Sequence, residues 1–113
     1  MNARRGEVVL WAAQRATAVM LAAFVLVHLV TIVYAVRGGL NAAEILARIH
    51  STLAWPVFYA LFVLAASIHG AIGLRTVAAE WLGWRGRGAD TAMAAIALGL
   101  VATGLRAVVA VSS

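Results

Sequence analysis

The chain has 113 residues, 65% of them hydrophobic and only 12% charged, a mixture that a soluble domain of this size cannot bury and that a lipid bilayer accommodates. The formal net charge of +5 comes from nine arginines and no lysine; beside so much apolar sequence it speaks to membrane topology and anionic headgroups before nucleic acid. Cysteine is absent, which excludes disulfides, iron–sulfur ligation and thiolate chemistry within the chain.

The first predicted element follows Arg15. The 21 residues up to Arg37 carry no formal charge, and a helix of about 20 apolar residues crosses the hydrocarbon core, so a span is placed over 16–36. It is too long for a signal-peptide core, and two further spans follow. Arg4 and Arg5 are adjacent, but Glu7 and a polytopic chain argue against a twin-arginine export signal. The connection that carries Glu44 and His50 is read as a solvated loop, with a proton relay toward a quinone as the functional alternative. Arg48 and Arg75 enclose 26 uncharged residues, which place the second span over 52–76. Pro56 falls in its first turn, where a missing N–H costs little. The third span, 91–111, contains one charge, Arg106, near enough to its end to snorkel to the interface. The spans are helices because lipid offers an open backbone no hydrogen-bond partner. The expected fold is therefore all-α, a single transmembrane domain over 1–113.

Arginines set the orientation. Arg4, Arg5, Arg15, Arg75, Arg85 and Arg87 lie on one side and Arg37, Arg48 and Arg106 on the other, so the positive-inside rule puts the N-terminus in the cytoplasm and the C-terminus outside. Trp11, Trp55, Trp81 and Trp84 fall near the predicted interfaces, as belt tryptophans do.

Two histidines lie within spans, His28 in the first and His69 in the second. Ionisable groups inside a membrane mark function by default, and neutral imidazole is a common axial ligand of b-type haem. Ala65 and Gly73 share a helix face with His69, and Gly70 is its neighbour, which would leave room for a flat porphyrin. The same pattern also serves plain close helix packing, with His69 as an interhelical hydrogen bonder. His28, flanked by Phe24 and Ile32 at four-residue spacing, admits the same two readings. If Arg15 and Arg75 mark one surface, the two histidines differ in depth by about 10 Å of helix rise. They would then serve two haems, each completed by a ligand from another chain. Arg15 and Arg75, at the same ends of their spans, would suit a haem propionate or a quinone carbonyl, or act as interfacial anchors.

Gln14-Arg15-Ala16-Thr17-Ala18, with the apolar run to Val27-His28-Leu29, resembles the first helix of membrane anchors of succinate dehydrogenase and fumarate reductase. Ser67-Ile68-His69-Gly70-Ala71-Ile72-Gly73-Leu74-Arg75 resembles their second, in which a haem-ligating histidine precedes a Gly-x-Arg element. The likeness covers roughly residues 11–82 and departs at Gln14, where the pattern usually has histidine. It implies His69 as ligand of the haem nearer the cytoplasmic subunits, Arg15 at the quinone site, and His28 as ligand of an outer haem, as in the two-haem branch that often uses menaquinone. It also implies partners: a flavoprotein, an iron–sulfur subunit docked on the cytoplasmic loop, and a second three-helix anchor completing a larger bundle. Two other readings compete: a cytochrome b anchor of another membrane dehydrogenase, and a haem-free transporter or assembly protein whose histidines relay protons or pack.

Overall fold

The computed structural model describes residues 3–113, all of whose regular structure is helical. Helix α1 spans Ala3–Arg37, α2 Ala42–His50, α3 Ala54–Leu82 and α4 Arg87–Ser112. Three of these, α1 from Arg4 together with α3 and α4, are long and apolar enough to cross a membrane.

Each long helix outruns the span expected of it. Charge bounds the apolar stretch but not the helix, because arginine and glutamate are good helix formers and the backbone ladder continues through the interface. At 1.5 Å per residue the 35 residues of α1 measure about 52 Å, well beyond a core of about 30 Å. Glycines stop the helices. Gly39 (φ 66°) follows α1 while the Leu40 N–H returns to the Ala35 carbonyl, and Gly83 (φ 66°) follows α3 while the Trp84 N–H returns to Ala78. Both are left-handed caps that only glycine adopts without strain.

The stretch expected to be a loop contains α2. Asn41 caps it, its Oδ1 accepting the Glu44 N–H at 2.8 Å. This short helix lies across the far ends of α3 and α4, where the His50 Nε2–H donates to the Val111 carbonyl at 2.8 Å.

Helix α3 is the centre, with α4 packed along one side and α1 along another. Among the described residues the buried positions are mostly small: Ala65, Ser67 and Ala71 on α3, Ala89 on α4 and Thr17 on α1, with Ile72 the only large one. In lipid, helix association depends on close backbone approach rather than on hiding large side chains from water, and small residues permit it. A Cβ on Gly104 would collide with the Val63 side chain, so the α3–α4 seam closes on that glycine.

Candidate functional site

The inward stripe of α1 runs through Gln14, Thr17, Leu21, Phe24 and His28 at alternating spacings of three and four. It meets α3 antiparallel, and the seam divides into a polar level and an aromatic one.

At the polar level Thr17, only 6% exposed, lies 3.2 Å from Nδ1 of His69. The Thr17 hydroxyl also lies 2.8 Å from the Ala13 carbonyl and 3.1 Å from that of Gln14, which can only accept, so its single proton turns back to its own helix. Its oxygen is then the acceptor and His69 Nδ1–H the donor. In that arrangement the lone pair lies on Nε2, an atom with no hydrogen-bond partner among the described residues. Gln14 stands one turn away, its amide 3.5 Å from where a Gly73 Cβ would be, and its Oε1 is buried without a donor. Gly73 thus serves the approach of α1 and Ala65 is buried in the bundle, whereas Gly70 faces open space.

At the aromatic level His28 is held edge-on between Tyr59 and Phe62, with ring centroids 5.8 and 5.7 Å away. Its Nδ1 lies 3.4 Å from the Tyr59 hydroxyl. Phe24, Phe58 and Trp55 extend the cluster through further edge contacts. His28 also borders a cavity of about 200 Å³ that runs to Tyr34 on α1 and Arg48 on α2.

The two levels are farther apart than expected. Thr17 to His28 is eleven residues on α1, and Tyr59 to His69 is ten on α3, so the imidazoles differ by about 16 Å of helix rise rather than about 10 Å. The shorter figure assumed that Arg15 and Arg75 lie in one plane. In the observed register Thr17 faces His69 and His28 faces Tyr59, so the α1 residue level with Arg75 precedes Arg15 by about a turn.

The arginines differ in their engagements. Arg75 links three helices: its Nε–H donates to Asp90 at 2.7 Å and its Nη2–H to Glu7 at 2.9 Å. It sits at the rim of a cleft of about 530 Å³ between α1 and α4. Arg15 is exposed and stacks over Trp11 with its guanidinium 5.4 Å from the ring centre.

Residues 3–106 match the family model of the succinate dehydrogenase/fumarate reductase transmembrane subunit. The chain belongs to this family. Among curated proteins and solved structures no match was found. A succinate dehydrogenase/fumarate reductase transmembrane subunit is one part of a larger complex, so the three apolar helices of this multi-pass membrane protein have partner subunits. In this subunit the sequence singled out His28, His69, Arg15 and Arg75. The structure puts His28 and His69 on one seam at separate levels and turns Arg15 away from it. Reasoning from the sequence missed Thr17 and Tyr59 as partners of the imidazoles. The one available signal was spacing: Thr17 and His28, eleven residues apart, fall on the same face of α1.

Proposed function

We propose that this transmembrane subunit is a cytochrome b, holding haem through His69 and His28 and carrying electrons between an iron–sulfur subunit and quinone. The observation that carries the reading is the hydrogen bond between His69 Nδ1 and Thr17. A histidine that ligates iron needs its second nitrogen tied to an acceptor, which sets the tautomer and ring orientation. Thr17 supplies that tie inside the span, where an imidazole kept only for packing would have both nitrogens satisfied by neighbouring helices.

The donor set fits haem rather than a bare metal ion. No three His, Cys, Asp or Glu side chains converge among the described residues, so each imidazole stands as a single ligand. Bound haem would supply one-electron chemistry at its iron. His69 and His28 would each hold one haem, and a second three-helix anchor would complete its binding. Levels about 16 Å apart address two irons. The seam itself contributes orientation and dryness: Thr17 and Tyr59 hold the two rings, and Phe62 excludes water beside His28. In this reading the Arg75 end faces the cytoplasm, where the iron–sulfur and flavoprotein subunits dock, and α2 lies on the outer side.

The reduced-minus-oxidised spectrum of the complex purified through this chain tests the proposal. A b-type α-band is expected, with two haems per complex by pyridine haemochrome. His69→Ala should remove or convert to high spin one haem, and His28→Leu should remove the other. A complex without a b-type band overturns the function, and an unchanged low-spin spectrum in His69→Ala removes that ligand.

A further inference from the structure

We propose that Arg48, carried on α2 and leaning on Tyr34, is the cation that binds the propionate carboxylates of the haem held at His28. The inference rests on the haem reading of His28 and assigns a role to an element that the apolar spans do not include.

Arg48 is poised rather than paired. Its Nη2–H donates to the Tyr34 hydroxyl at 3.0 Å, and the guanidinium lies over the Tyr34 ring at 4.8 Å. Glu44 is one turn earlier on the same helix, a spacing at which ion pairs commonly form. Yet no ion pair joins Arg48 to a carboxylate among the described residues. One of its five donors is engaged and the rest of the fork remains available. Arg75 is the contrast, with two carboxylates already on its guanidinium.

The cavity of about 200 Å³ joins this cation to the imidazole. His28 and Tyr59 line it at one end, Tyr34 and Arg48 at the other, with Ile32 and Ile45 among the apolar residues between. Tyr34 is six residues beyond His28 on α1, about 9 Å along the axis. An apolar wall with a nitrogen donor inside and a guanidinium at the membrane surface matches a flat apolar macrocycle that carries its carboxylates on one edge. Ligand pockets run to about 300–1,000 Å³, so this cavity holds one edge of such a group and a partner subunit closes the remainder. A planar guanidinium at that edge pairs a carboxylate through two parallel hydrogen bonds.

Potentiometric titration of the intact complex, followed in the α-band of the haem that His28→Leu removes, tests the assignment. Without the nearby positive charge the ferric form is favoured. Arg48→Gln should shift the ferric-to-ferrous ratio about tenfold toward ferric, a fall of about 59 mV for one electron. The fall should steepen with pH as the unpaired propionate begins to titrate, while the His69 haem stays unchanged. Arg48→Lys keeps the charge and should retain most of the native potential; it serves equally where Arg48→Gln fails to assemble. Two haems with an unaltered potential in Arg48→Gln overturn the propionate role and leave the haem reading intact. So does a potential in Arg48→Lys that falls as far as a neutral residue would take it. One haem per unmutated complex overturns the haem at His28 itself.

Discussion

Thr17 commits its only proton to the carbonyls of its own helix and leaves its oxygen for His69 Nδ1–H. A methyl group in place of that oxygen removes the acceptor and keeps the shape, so Thr17→Val isolates the hydrogen bond. Loss of a partner behind a ligating histidine typically costs 10–100-fold in metal affinity. Haem titration into the purified apo-complex should show a loss of that order at one haem, with Thr17→Ser restoring it; identical affinities in all three proteins would make Thr17 a packing residue. Neither Thr17 nor Tyr59 was legible as a partner in the sequence. His69 and His28 stand out because imidazole is rare in an apolar run, whereas threonine and tyrosine in a span are ordinary. What selects them is the register between α1 and α3, which no single helix encodes.

The elements were more legible than their contacts. Two uncharged runs between arginines and a third apolar run with the single charge Arg106 marked three spans, since charge avoidance in lipid is a property of each segment alone. Helix α1 begins well before Arg15 and α3 ends well after Arg75, because charged residues continue a helix as readily as they bound an apolar run. Helix α2 escaped because nine residues with two charges and a histidine have no transmembrane signature. Its one local signal, Asn41 three residues before Glu44, marks a helix start only when a short interfacial helix is already in view. The α3–α4 seam gives a sharp test at this scale. Gly104→Val places a branched side chain against Val63 and should destabilise the bundle by about 1–3 kcal/mol, as overpacking does. Gly99→Ala, on the same helix but facing open space, should cost nothing measurable. Thermal unfolding in detergent compares the two, and equal midpoints would mean that α4 packs on α3 by another face.

At the scale of the whole molecule, we propose from the arginine bias that the Arg75 end lies inside. A periplasm-dependent reporter fused after Ser113 should be active and a cytoplasm-dependent one silent; the opposite pattern would invert the molecule and exchange the surfaces assigned to the two histidines. The separation of the imidazole levels then has a consequence for energy transduction. About 16 Å of helix rise is roughly half of a hydrocarbon core of about 30 Å. A charge moved from one level to the other therefore crosses roughly half of the membrane voltage. A full crossing is worth about 2.3 kcal/mol per 100 mV, so the proposed electron step between haems held at His69 and His28 would be biased by about 1.2 kcal/mol per 100 mV. It runs with the voltage in one direction and against it in the other, and the pairings of Thr17 with His69 and of Tyr59 with His28 fix that share of the field.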